Sequence, residues 1–121
     1  NPETKRYLSF QETIKRKRKY NVKETSEKIP VVLNVFDVLF YKKETFLLPL
    51  KERRVILEKL IKNINSDLIR TTEAIFTKDP EEVMKFFNHC LNESLEGIIE
   101  KDLEKPYLPG KRDFAWIKLK K

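Results

Sequence analysis

The chain has 121 residues, 40% of them apolar, enough for one domain or part of a larger one with its own core. Its net charge is +7 with 37% charged residues, which favours polyanionic partners, nucleic acid above all, and also fits plain solubility. Cys90 is the single cysteine, so an internal disulfide and a cysteine-built metal cluster are excluded, and no apolar run approaches membrane-spanning length.

The basic residues concentrate in 5–19 and 101–121. Residues 1–8 read as a turn and a strand end. Ser9-Phe10-Gln11-Glu12 fits a capping box, in which the Ser hydroxyl and the Glu carboxylate reciprocally satisfy backbone N–H groups. The helix it opens is expected over about Phe10–Lys19, carrying the cations Lys15 to Lys19. These suit either a phosphate backbone or a solvated helix end favoured by the macrodipole. Residues 21–29 predict a short helix before Pro30.

Val31 to Tyr41 is almost continuously apolar and rich in β-branched and aromatic residues, so it predicts a strand buried on both faces. Asp37 stands out there, because a buried acid needs a partner or a metal. Residues Tyr41–Glu44 make a turn. After Pro49, apolar residues at 56, 57, 60, 61 and 64 mark one helical face. Arg53 and Arg54 sit in that helix's first turn against the macrodipole, which hints at an anionic contact or a local acid. Leu68–Arg70 and Glu73–Phe76 read as a short strand region. Asp79-Pro80-Glu81-Glu82 is a helix start, with Val83, Phe87, Cys90 and Leu91 on its inward face. His89, beside Cys90, reads as structural.

Two strands close the chain. In Glu96-Gly97-Ile98-Ile99-Glu100-Lys101, alternation puts Glu96, Ile98 and Glu100 on one face. In Trp116-Ile117-Lys118-Leu119-Lys120, Trp116, Lys118 and Lys120 share a face opposite Ile117 and Leu119. A lysine row backed by an apolar face suits a grip on a polyanion, and an acid on a neighbouring strand suits a divalent metal beside it. Lysines also mark solvated edge strands. The mixed order of elements predicts an α/β (α+β) fold with a largely antiparallel sheet and flanking helices.

Four blocks, in order, resemble the later part of the catalytic domain of ATP-dependent DNA ligases of the archaeal and eukaryotic type. They are Phe10-Gln11 with the basic run, Phe36-Asp37-Val38-Leu39-Phe40 (like motif III) with Leu50 to Arg54, Glu96 to Lys101 (like motif IV), and Arg112 to Lys120 (like motif V). The resemblance implies an ATP-grasp-like nucleotidyltransferase domain. It also implies nick sealing in duplex DNA through enzyme-AMP and DNA-AMP intermediates, with ATP and Mg²⁺ as cofactors. By the same resemblance, Phe36 stacks on adenine, and Lys101, Arg112, Lys118 and Lys120 serve the nucleotide phosphates. Glu96 holds the metal; Asp37 either assists it or fixes a neighbouring strand. Trp116 packs rather than stacking on DNA.

The family pattern has an apolar residue where Glu100 stands. It also has a nucleophilic lysine followed closely by Asp-Gly, and Asp-Gly never occurs here. Residues 1–121 are therefore expected to be a single partial domain, the C-terminal portion of the adenylation domain. The nucleophile segment, a DNA-binding domain and an OB-fold domain lie elsewhere, and no catalytic residue is assigned within the chain. The implied partners are nicked DNA, ATP and the rest of the ligase chain, with a sliding clamp a further candidate and no membrane. With no signal peptide in view, the expected location is intracellular: archaeal cytoplasm, or a nucleus. The alternatives are an RNA ligase or mRNA capping enzyme fragment, and a non-catalytic basic nucleic-acid-binding module.

Overall fold

The computed structural model describes every residue except Pro2, Lys5, Arg18, Lys19 and Arg112. The chain divides into two units. The first comprises residues 1–31, 75–97 and 120–121, and the second 32–74 and 98–119.

The first unit is helical. Helix α1 (Phe10–Ile14) has the expected capping box, with the Glu12 N–H donating to Ser9 Oγ and the Ser9 N–H to Glu12. It stops well before Lys19. Arg16, in the turn that follows, donates from Nε to the Ile29 carbonyl at 3.1 Å and from Nη2 to Ser26 Oγ at 3.2 Å, so it is held by the chain itself. Helix α2 spans Val22–Lys28. Helix α4 (Pro80–Asn92) starts on Asp79, whose side chain accepts from the Glu81 N–H at 2.9 Å, with Pro80 in the first turn. Phe87 and Cys90 are buried on its inward face.

The second unit holds helix α3 (Leu50–Ile64), strands β1 (Leu33–Val35), β2 (Phe40–Tyr41), β3 (Lys43–Glu44) and β4 (Ile69–Thr71), and most of β5 (Gly97–Lys101) and β6 (Trp116–Lys120). Leu50, Leu57 and Ala115 form its apolar core, with Thr45 and Arg53 also buried.

The expected single, largely antiparallel sheet is replaced among the described residues by three two-stranded sheets. β1 pairs parallel with β4, in the register Leu33–Ile69 to Val35–Thr71, and β2 pairs antiparallel with β3. β5 pairs with β6, and the Asp102 N–H donates to the Ala115 carbonyl at the end of that pair.

The long apolar run is likewise not one strand, nor buried on both faces. Leu33, Phe36 and Phe40 are exposed. The two ends of the run pair with different strands, Leu33–Val35 with β4 and Phe40–Tyr41 with β3. The Leu39 carbonyl accepts from the Thr45 and Phe46 N–H groups, and the Val38 carbonyl accepts from Thr45 Oγ1 at 2.7 Å. Asp37 turns its carboxylate onto its own neighbour's N–H and onto α3. The Thr45 and Phe46 bonds extend the β2–β3 hairpin by one position, and the Asp37 bonds fix the stretch between the two pairings. Residues 73–76, expected to extend the strand region, lie outside β4.

Candidate functional site

Helix α3 has no side-chain cap, since Pro49 occupies that position. Its first free N–H groups are satisfied by another segment instead: Leu50 donates to the Lys105 carbonyl and Lys51 to the Leu103 carbonyl, both at 3.0 Å. The loop after β5 is thereby moored to the start of α3. Arg53, one turn in, completes the junction. Its Nε and Nη2 meet Asp37 Oδ1 and Oδ2 at 2.8 and 2.9 Å, and its Nη1 meets the Leu48 carbonyl at 2.6 Å. The Arg53 side chain is 0% exposed and that of Asp37 4%. Arg54 points elsewhere, to the Thr72 carbonyl at 2.8 Å and to Glu58 at 2.7 Å. Of the two origins expected for these out-of-place cations, the local acid is the one present for Arg53.

Asp37 follows Phe36, and the anchored acid leaves the aromatic ring at the surface, 53% exposed. Phe36 meets Trp116 edge-on, with ring centroids 6.5 Å apart at 81°. Tyr107 meets Trp116 the same way, at 5.5 Å and 75°. The Lys101 ammonium stands 4.1 Å from the Trp116 centroid and 4.9 Å from that of Phe36. Aromatic faces attract a cation and return part of its lost hydration. Burial pulls the Lys101 amine below the ordinary lysine range; the Asp37 carboxylate counters this, while Arg53 and Arg54 add to it. Trp116 and Tyr107 also line an open cavity of about 470 Å³ with Pro106, Leu108 and Ala115, a feature that Phe36 does not share.

The second unit thus gathers Phe36, Lys101 and Trp116. Trp116 packs, as expected. Lys118, two residues along β6, is exposed and on the face that alternation shares with Trp116. Ile117, on the opposite face, is exposed rather than covered, and Leu119 is half-buried. Glu96 and Lys120 belong to the first unit, and both are exposed. Gly97, which follows Glu96, has φ 151°, a conformation that side chains with a Cβ seldom adopt. Arg112 lies outside the described residues.

The carboxylates fit a metal unequally. Both Asp37 oxygens are taken by Arg53, so Asp37 does not fit as a ligand. Glu96 presents an exposed carboxylate, which fits the single-carboxylate mode by which Mg²⁺ joins substrate phosphates. Among the described residues no group of three or more His, Cys, Asp or Glu converges into a site built by protein alone. Tyr107 carries no motif signal in the sequence. By sequence Arg53 is an out-of-place cation, and its link to Asp37, sixteen positions away, exists only in the fold.

The sequence profile of the ATP dependent DNA ligase domain matches residues 1–120. The chain belongs to the ATP-dependent DNA ligase domain family. It is 45% identical to a probable DNA ligase of Dictyoglomus thermophilum over 122 residues, all of this chain and 21% of that protein. It is 39% identical to the DNA ligase of Nanoarchaeum equitans over 119 residues, covering 97% of this chain and 21% of that one. It is also 39% identical to DNA ligase 1 of Methanosarcina barkeri, over 99% of this chain and 22% of that one. The chain spans about a fifth of the length of these curated relatives. The ligase resemblance read from the four sequence blocks is borne out along the chain. Among the described residues no helix is long and apolar enough to cross a membrane.

Proposed function

We propose that this chain supplies the nucleotide-holding part of an ATP-dependent DNA ligase that seals nicks in duplex DNA. The half-exposed Phe36 ring, braced by Trp116 and carrying Lys101 near its face, is the observation that supports this reading most. A rigid aromatic face suits a purine.

Every step of nick sealing moves a nucleotidyl or phosphate group, so catalysis is chiefly positioning and charge neutralisation. Phe36 holds the adenine. Lys118 and Lys120 neutralise the phosphates from β6, joined by Arg112. Lys101, held on the rings, adds positive potential near the base. Glu96 orients the divalent metal, which when bound supplies charge neutralisation at the phosphates. Asp37 acts on the fold, by fixing the segment that bears Phe36. The nucleophilic lysine is furnished from outside these residues, as is a large part of the DNA contact.

The test is label transfer from ATP and Mg²⁺ to a full-length polypeptide carrying this chain. Transfer abolished by Lys118→Ala and weakened by Phe36→Ala supports the assignment. Normal transfer in both variants overturns it. The 121 residues alone are expected to take no covalent AMP, and a labelled band surviving denaturation would contradict that. The Phe36 cluster favours this reading over a purely electrostatic nucleic-acid module, which needs no aromatic platform and predicts no preference for ATP.

A further inference from the structure

We propose that Arg53 is a positioning residue for the nucleotide platform, acting through Asp37 and the Lys105 carbonyl to set where Phe36 and Tyr107 stand against Trp116. The inference rests on the proposed role of Phe36. Its basis is one buried guanidinium that ties three stretches of chain together. Nε and Nη2 hold Asp37, the residue next to Phe36. Nη1 holds the Leu48 carbonyl just before α3. The same Nη1 reaches the Lys105 carbonyl at 3.3 Å, two residues before Tyr107. Tyr107 is further pinned by its N–H on the Phe46 carbonyl at 2.8 Å.

The two residues reached in this way, Phe36 and Tyr107, are the two whose rings meet Trp116 edge-on. A rotation at the Arg53 hub therefore moves both supports of the indole, and with them the cage around Lys101. The work calls for arginine. Its planar fork engages both carboxylate oxygens and still has Nη1 for two carbonyls, whereas the lysine ammonium offers three donors at a single point. Arg53 is wholly buried, so it touches neither nucleotide nor DNA and acts only through what it holds.

The test uses the full-length ligase polypeptide with Arg53→Lys, Asp37→Glu and, as a stability control, Leu57→Ala in the buried face of α3. Asp37→Glu keeps the charges paired but shifts the segment bearing Phe36, so it gives the same readout where Arg53→Lys fails to fold. Melting temperature and the kinetics of enzyme adenylylation are measured together. A positioning role predicts that Arg53→Lys and Asp37→Glu raise the KM for ATP about tenfold or more, with kcat changed far less. Leu57→Ala lowers the melting temperature and leaves KM near that of the wild type.

An unchanged KM in folded Arg53→Lys, or an equal rise in KM in Leu57→Ala at matched stability, overturns the inference while the ligase reading stands. A wild type that takes up no label from ATP overturns the ligase reading, and this inference with it.

Discussion

Arg53 and Asp37, sixteen positions apart in sequence, meet in a two-bond fork with neither side chain open to water. The acid belongs to the segment that carries Phe36 and the cation to the first turn of α3. Each would be costly to bury alone, and each removes the cost of the other. The pair is therefore weak as a source of net stability but severe in its consequences when halved.

Halving it is the first prediction. Asp37→Asn or Arg53→Met is expected to cost about 3–5 kcal/mol in chemical denaturation, because one buried charge is left uncompensated. The double variant should lose clearly less than the sum of the singles, since the second change removes the stranded partner. Additive losses would show that the two side chains act independently.

Lys101 predicts a pH dependence. Burial lowers its proton affinity in the folded state, below the ordinary value of 10.5. In the range just below that value the unfolded chain binds more protons than the folded one, so raising the pH favours folding. The stability of the wild type relative to Lys101→Met should therefore rise as the pH climbs towards 10.5, the ordinary lysine value. Denaturation curves for both proteins across the alkaline range check this, and a falling difference contradicts it.

Phe36→Ala should separate binding from folding. The ring is about half exposed, so the loss of stability is confined largely to its edge contact with Trp116, about 0.5–1.5 kcal/mol. Loss of the stacked base should cost about 1–3 kcal/mol in ATP binding. Nucleotide titration of full-length protein, alongside its melting curve, measures both.

Glu96→Gln should raise the Mg²⁺ concentration needed for label transfer by about tenfold or more, with little effect on melting, because the side chain is exposed. An unaltered metal requirement would remove Glu96 from the metal assignment.

Asp79→Ala should destabilise by about 1 kcal/mol through the lost cap of α4, and Asp79→Asn much less. Thermal melting of the two variants side by side checks the ranking.

What the residues themselves determined is local. Ser9 with Glu12 and Asp79 with Pro80 started helices where they were expected, because capping needs only neighbours in sequence. The face of α4 was legible from the spacing of Phe87 and Cys90, and the ligase family from the order of four short blocks. The roles that depend on distant partners were not legible. Val31 to Tyr41 reads as one buried strand by composition, yet its two ends pair with different strands in separate sheets. Asp37 reads equally well as a metal ligand or a structural acid until Arg53 is seen to occupy both its oxygens. The family resemblance gives Lys101 a phosphate role, while its place against Trp116 and Phe36 is set by folding. Periodicity and capping are carried by the chain's own neighbours, whereas the partner of a charge or a ring is chosen by tertiary contacts that no spacing rule encodes.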